Sequence, residues 1–112
     1  MAQTVEDLGH VVIYEGDGAN DNDTVIETGD VSRFKGFKLM STTGAVDVLV
    51  SLDGTNYSTS AHSLDDLTDE LNTPVLVTVA GKVYEFLGHY RKIKILQNGA
   101  TATDIDLLCY PK

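Results

Sequence analysis

Apolar and polar side chains alternate with a period of two over several short stretches of this chain. The pattern is clearest over residues 46–52, in which every even-numbered position is valine or leucine. Because a period of two puts alternate side chains on opposite faces, this stretch is predicted to be a half-buried strand. Asp53-Gly54 follows at once and favours a type I′ hairpin turn, which needs positive φ at both central residues. Residues 57–60 are therefore predicted to pair back across this turn.

The same alternation, interrupted by glycine, asparagine and aspartate, predicts about eight short strands. Two further turns, Ala80-Gly81 and Asn98-Gly99, are each predicted to join the strands on either side into a hairpin. The one predicted helix spans residues 64–71, where leucines recur at i, i+3 and i+7 behind a Ser63 cap. The candidate strand segments are 10–14, 25–28, 36–41, 46–52, 57–60, 75–79, 83–87, 91–97 and 104–110.

These elements predict an all-β protein with a single domain over residues 1–112. No helices are available to connect parallel strands, so we expect a single antiparallel β-sandwich, jelly-roll-like, with at most one short helix. Residues 1–9 are expected to form an extended N-terminal arm. The predicted core takes one face of each strand: Val11, Ile13, Phe37, Leu39, Val48, Val50, Val77, Val79, Tyr84, Phe86, Ile93, Ile95, Ile105 and Leu107.

The formal net charge of -9 is concentrated at the start of the chain. Residues 1–30 contain eight acidic residues and no lysine or arginine, whereas the remainder is close to balanced. This distribution argues against nucleic-acid binding through phosphate neutralisation and against attraction to an anionic membrane. The chain has no run of about 18 apolar residues and no basic start followed by an apolar stretch. We therefore expect neither a transmembrane helix nor a signal peptide.

No arrangement of residues matches a catalytic motif, so the sequence predicts a protein that is not an enzyme and needs no cofactor. His10, His62 and His89 lie far apart and lack the spacing of metal ligands. Cys109 is the single cysteine and lies on the apolar face of the last predicted strand, where a buried thiol acting as a small hydrophobe is typical.

The loop over residues 16–23 consists almost entirely of glycine, asparagine and aspartate, and is predicted to be a solvated turn. The alternative is a cation site formed by Asp17, Asp21 and Asp23, since Ca²⁺ takes several oxygen ligands. The loop departs from the EF-hand pattern, because its twelfth position counted from Asp17 is Thr28 rather than glutamate.

Two groups of basic residues are candidates for binding a partner. One group is Arg33, Lys35 and Lys38, and the other is Arg91, Lys92 and Lys94. They are interpreted either as solubilising, edge-protecting charges or as a docking face for an acidic partner or for the acidic arm of a neighbouring copy. Within that arm the candidate contact residues are Val5, Glu6 and Asp7.

Residues 46–57, a strand followed by Ser-Leu-Asp-Gly-Thr-Asn-Tyr, resemble a hairpin of small β-sandwich virion proteins of tailed bacteriophages. Residues 84–99 look like the late strands of the same proteins. The resemblance implies a capsid decoration, or cement, protein that is made in the host cytoplasm and sits on the virion surface. Its expected partners are the major capsid protein and copies of itself, and the resemblance carries over no catalytic residue.

Two other functions remain open from the sequence. A glycan-binding module on a β-sandwich would use loop residues such as Asn56, Tyr57 and Tyr90, with the tyrosine rings stacking on sugar. The absence of tryptophan, the preferred stacking residue, counts against this alternative. A head-completion or tail structural protein is the third possibility, and the symmetry of the assembly would separate it from a decoration protein.

Overall fold

The structure, a computed structural model, describes residues 3–71 and 73–111. Within these ranges the chain forms ten strands and no helix. The described residues therefore include no helix long and apolar enough to cross a bilayer. The strands are β1 (Gln3–Asp7), β2 (Val12–Gly18), β3 (Thr24–Glu27), β4 (Gly36–Thr43), β5 (Val46–Ser51), β6 (Leu64–Asp66), β7 (Pro74–Val75), β8 (Val83–Leu87), β9 (Lys92–Gln97) and β10 (Thr103–Tyr110).

The strands form two antiparallel sheets, which confirms the predicted all-β sandwich. The large sheet has seven strands in the order β1-β2-β10-β4-β8-β6-β7, and the small sheet has three in the order β3-β9-β5. Every strand pair is antiparallel, and most neighbours in the large sheet are distant in sequence. Such non-local pairing is typical of jelly-roll folds.

The core lies between the inner faces of the two sheets, as the alternating pattern predicts. Phe37 of β4 and Phe86 of β8 stack with ring centroids 4.9 Å apart. Each fully buried side chain of this kind contributes about 1.5–3 kcal/mol. The predicted core residues that are buried are Phe37, Leu39, Val48, Tyr84, Phe86, Ile93, Ile95, Ile105 and Leu107, and Val50 is partly buried against them.

The prediction for β2 selected the wrong face of the strand. Val12 and Tyr14 are buried, whereas Val11 and Ile13 are only partly buried and lie on the other side. The stretch over residues 11–14 is apolar at every position, so its alternation could not define the inner face. Burial of Tyr14 is made possible by its hydroxyl, which accepts a hydrogen bond from the Gly29 N–H at 3.2 Å.

The predicted helix over residues 64–71 is absent. Leu64–Asp66 is instead strand β6, paired with β8, and turns follow it. The Asp66 carboxylate accepts hydrogen bonds from the N–H and hydroxyl of Thr68 at 2.9 and 2.6 Å, which favours a turn over a helix. The leucine pattern does not form one buried face, because Leu64 is buried while Leu71 is 85% exposed.

The predicted strand over residues 75–79 is shortened to β7, which pairs with β6 rather than with β8. The chain then crosses to the small sheet, where the Thr78 N–H donates to the Val46 carbonyl at 3.0 Å. Val77 and Val79 are consequently exposed rather than part of the core. The hairpin predicted at Ala80-Gly81 is therefore also wrong.

The hairpin predicted at Asn98-Gly99 is wrong as well, because the two strands that flank it belong to different sheets. β9 lies in the small sheet, and β10 lies between β2 and β4 in the large one. At Asp53-Gly54 the chain does turn back, but only Gly54 has positive φ. The returning segment forms no strand: it meets β5 through a bridge between Ser51 and Tyr57 and through the N–H groups of Ser58 and His62.

Candidate functional site

The side of the large sheet that faces away from the small sheet, here called the outer face, exposes apolar side chains at its centre. Ile13 of β2 lies opposite Leu108 of β10, and Met40 of β4 lies opposite Val83 of β8. All four side chains are partly exposed and line a shallow groove. These four residues, called the apolar strip, are a surface that a partner can cover.

Acidic side chains flank the apolar strip on the same face. Glu15 lies directly opposite Asp106, and Asp17 lies opposite Asp104, so β2 and β10 present two like-charged cross-strand pairs. Like charges placed opposite each other destabilise a sheet. Lys38 is the basic residue beside them, and its ammonium lies 5.2 Å from the centroid of the Tyr110 ring. The outer face is therefore both apolar and strongly acidic.

Residues 3–7 of the predicted N-terminal arm are extended and lie as β1 along the edge of the large sheet, and Leu8 and Gly9 begin the turn to β2. All five residues of β1 are exposed, and Val5 is 53% exposed. The Gln3 side chain bonds to the backbone of Glu27 in β3, accepting its N–H at 2.8 Å and donating to its carbonyl at 3.0 Å. Asp7 forms an ion pair of 3.5 Å with Arg33. Glu6 lies opposite Ile13.

The structure does not gather the basic candidates on one face. Lys38 lies on the outer face of the large sheet, whereas Lys92 and Lys94 alternate with buried isoleucines and point away from the core on the small sheet. Arg91 pairs with Asp30 at 3.1 Å, and Lys94 approaches Glu27 at 3.9 Å. Lys35 is exposed just before β4. Exposed pairs of this kind contribute about 0–1 kcal/mol to stability.

All three candidate glycan-binding residues, Asn56, Tyr57 and Tyr90, line one depression. The depression has a volume of about 420 Å³ and includes Leu52, which is 75% exposed. The Tyr57 hydroxyl donates to Glu27 at 3.0 Å, and the Lys94 ammonium lies 4.4 Å from the centroid of the Tyr57 ring.

Two aspartates of the segment over residues 16–23, Asp21 and Asp23, accept hydrogen bonds from backbone N–H groups. Asp23 accepts hydrogen bonds from the N–H groups of Asn20 and Ala19 at 2.9 and 3.1 Å, and these bonds lower its pKa. Asp21 accepts from the Gly99 N–H at 2.8 Å, and Asp17 lies within β2 rather than in a loop. In the described part of the chain, no group of three or more His, Cys, Asp or Glu side chains could hold a metal ion.

Within the described residues the histidines do not join a group that could hold a metal ion, and the cysteine is buried. His10 and His89 are exposed, while a ring nitrogen of His62 lies 2.6 Å from the Tyr90 hydroxyl. Cys109 faces the core of the large sheet, and burial raises the pKa of its thiol to about 12. A thiol of this kind is a packing group, as the sequence predicted.

No family model matches the sequence, and no curated protein sequence matches it either. Solved structures do match. YomS, a protein derived from the SPBc2 prophage, aligns with a TM-score of 0.63 and 11% identity over 87% of this chain and 93% of its own. A cupin superfamily protein from Desulfitobacterium hafniense DCB-2 aligns with a TM-score of 0.55 and 11% identity over 99% of this chain and 77% of its own.

The fold is a jelly-roll-like β-sandwich. An oxalate oxidase in complex with the substrate analogue glycolate shares it too, with a TM-score of 0.55 and 13% identity over 98% of this chain and 50% of the oxidase. The same sandwich thus occurs in a prophage-derived protein and in an enzyme. The fold alone therefore does not define a function for this chain.

Sequence reasoning missed the acidic outer face. Its signal was present, since Glu15 and Asp17 are two residues apart, as are Asp104 and Asp106. An i, i+2 spacing places both carboxylates of each pair on one face of a strand. What the spacing could not show is that β2 and β10 are neighbours.

Proposed function

We propose that this protein is a structural protein of a phage virion that decorates the outer shell by binding major capsid subunits. The observation that carries the proposal is the outer face of the large sheet, a broad surface with an apolar centre and acidic flanks. Two further observations support it. The fold is shared with a prophage-derived protein over most of both chains, and the hairpin over residues 46–57 resembles that of phage virion sandwiches.

The apolar strip provides a contact of modest strength. If docking removes about 50 Å² from each of its four side chains, the roughly 200 Å² buried contributes about 5 kcal/mol. Association itself costs about 4–15 kcal/mol in lost translational and rotational freedom, so one such contact barely holds a single copy. A second contact made by the same molecule, on a lattice that repeats the site, raises the apparent affinity through effective concentration.

The acidic pairs define the chemistry of the surface that the outer face docks on. Glu15 with Asp106 and Asp17 with Asp104 place four carboxylates beside the apolar strip. A basic patch on the capsid subunit would relieve their mutual repulsion and steer the encounter. Binding should therefore weaken as salt is raised, because exposed charges are screened within about 8–10 Å at physiological ionic strength.

The second contact is assigned to the N-terminal residues 1–9. Residues 3–7 of this segment form β1, an exposed edge strand that contributes no residue to the core. One molecule would then bind a capsid subunit through the outer face and a neighbouring molecule of the assembly through residues 1–9. Such bridging stabilises the shell without any catalytic step.

The proposal is tested by mixing purified protein with shells that lack it and measuring occupancy. Leu108→Lys places a charge in the apolar strip and should abolish binding. Leu49→Lys is the matched control, since Leu49 is also a partly exposed leucine but lies on the outward side of the small sheet. Equal occupancy by both variants would refute docking through the outer face.

Bridging is tested by deleting residues 2–9. The deletion should leave the sandwich folded and reduce shell occupancy sharply, because one of the two contacts is lost. Circular dichroism and thermal unfolding report on the fold, and sedimentation with shells reports on binding. Unchanged occupancy would show that this segment plays no part in binding.

Glycan binding is a second candidate, favoured by the depression that brings Asn56, Tyr57 and Tyr90 together. Its volume lies within the range typical of small-molecule sites, and its tyrosines suit stacking on a sugar ring. A glycan array read with wild-type protein and with Tyr57→Ala distinguishes the two functions. Specific glycan signals that the variant loses, together with no binding to shells, would replace the capsid proposal.

A further inference from the structure

The edges of the small sheet are closed by the protein itself. Along the free side of β5, the N–H groups of Ser58 and His62 donate to the carbonyls of Val50 and Val48, each at 2.8 Å. Along the free side of β3, the Gln3 amide occupies both the N–H and the carbonyl of Glu27. Closed edges of this kind prevent unwanted strand pairing.

The large sheet is closed at one edge and open at the other. Its β7 edge is only two residues long and begins with Pro74, which has no N–H to offer. The β1 edge runs for five residues, without proline, lysine or a bulge in its pairing with β2. Among the described residues, β1 is thus the edge that can accept another strand.

The hydrogen-bonding direction of β1 follows from the turn that joins it to β2. The Leu8 N–H donates to the Val11 carbonyl at 2.9 Å, so position 8 points its backbone groups toward β2. In an antiparallel pair this orientation alternates along the strand. The backbone groups of Thr4 and Glu6 therefore also bond to β2. The backbone N–H and C=O groups of the alternate residues, Gln3, Val5 and Asp7, point away from the sheet.

We propose that β1 pairs with β1 of a second copy, antiparallel and around a two-fold axis through Val5. This register uses all the outward groups: Val5 faces Val5 of the other copy, and Gln3 faces Asp7 at both ends. The two large sheets then form one continuous sheet of fourteen strands, twice the seven of a single copy. An isologous contact of this kind is the commonest form of dimer.

The side chains of β1 favour a second copy as the pairing strand, and they favour the register centred on Val5. Centring the axis on Val5 brings together two half-exposed valines and places Glu6 opposite Thr4. A shift that centres the axis on Glu6 would place two glutamates face to face, which is destabilising. A shift that centres it on Thr4 would pair only Gln3 to Val5 of the described strands, instead of all five residues of β1. Among the described residues, the axis through Val5 therefore pairs the whole strand and avoids like charges.

The dimer follows from the edge geometry alone and does not rest on the proposed function, although it would identify the molecule that residues 1–9 bind. It is tested without shells, by sedimentation equilibrium over a range of concentrations. Val5→Lys places two ammonium groups opposite each other and should raise the dimer dissociation constant at least about tenfold. Thr4→Lys adds the same charge opposite Glu6 and should leave the constant unchanged or lower it.

Cysteine cross-linking tests the register. In the proposed pairing the two Val5 Cα atoms lie about 5.5 Å apart, within reach of a disulfide, whereas the two Thr4 Cα atoms lie roughly 8 Å apart. Mild oxidation with Cu²⁺–phenanthroline should therefore cross-link Val5→Cys and not Thr4→Cys. A wild-type protein that stays monomeric at all concentrations, or equal cross-linking of both variants, would overturn the proposal. Shell occupancy in the same preparations separates this failure from failure of the decoration proposal.

Discussion

Replacing Gly16 with alanine tests the way the two sheets pack. Gly16 faces inward on β2, where β3 crosses it closely. A Cβ atom at this position would overlap the Val25 carbonyl group and would lie 2.7 Å from Cγ1 of Ile26. Because the obstacle is the main chain of β3, it cannot be relieved by a side-chain rotation. The sheets would have to move apart.

The overlap with the main chain of β3 should lower the free energy of unfolding of Gly16→Ala. Overpacking a well-packed core costs about 1–3 kcal/mol, and a backbone obstacle places Gly16→Ala at the upper end. The loss of chain entropy in the unfolded state returns up to about 1 kcal/mol, so the net loss is about 2 kcal/mol. For a domain of this size that corresponds to a fall in Tm of about 8 °C.

Urea unfolding followed by circular dichroism measures the change, and Gly29→Ala is the control. The nearest atom to a Cβ at Gly29 is the Tyr14 hydroxyl at 3.9 Å, so this variant should stay within about 0.5 kcal/mol of wild type. A Gly16→Ala protein as stable as Gly29→Ala would refute the close crossing of β2 and β3.

Two further predictions concern titratable groups. Burial raises the pKa of Cys109 to about 12, so a disulfide reagent at pH 8 should label the thiol only after unfolding, and rapid labelling of native protein would contradict this. Backbone N–H groups of its own loop hold the pKa of Asp53 below its usual range. The stability this carboxylate contributes is present above its unfolded pKa of about 3.9 and is lost as pH falls through the lower folded value. Asp53→Asn should therefore flatten the decline of the urea midpoint below about pH 4, and an unchanged decline would count against this origin.

The fold class could be predicted because the clearest strands carry their signal locally. Burial alternates along β9 and β10, and Ile93, Ile95, Ile105, Leu107 and Cys109 occupy the buried positions that the sequence pattern predicts. The errors fall where local pattern is ambiguous. Residues 11–14 are apolar on both faces, and residues 64–71 have helical spacing that the Asp66 side chain converts into a turn.

The candidate surfaces were less predictable, since they depend on strand order. β10 lies between β2 and β4, which are both far from it in the sequence. Leu107 of β10 pairs with Tyr14, 93 positions earlier, and Asp106 pairs with Met40, 66 positions earlier. The pairing of Glu15 with Asp106 is therefore invisible in the sequence. The Tyr57 and Tyr90 depression is likewise formed by loops that approach only in the folded state.

Cryo-electron microscopy of shells that lack the protein, after incubation with purified wild-type protein, shows directly whether the outer face docks on the capsid. Docking through the outer face predicts regular density across the shell, with the large sheet toward the capsid and Ile13, Met40, Val83 and Leu108 at the contact. Density only at a single vertex would instead indicate a head-completion protein. A bare shell, or a shell bound through the small sheet with the large sheet facing solvent, would show that the outer face is not the capsid-binding surface.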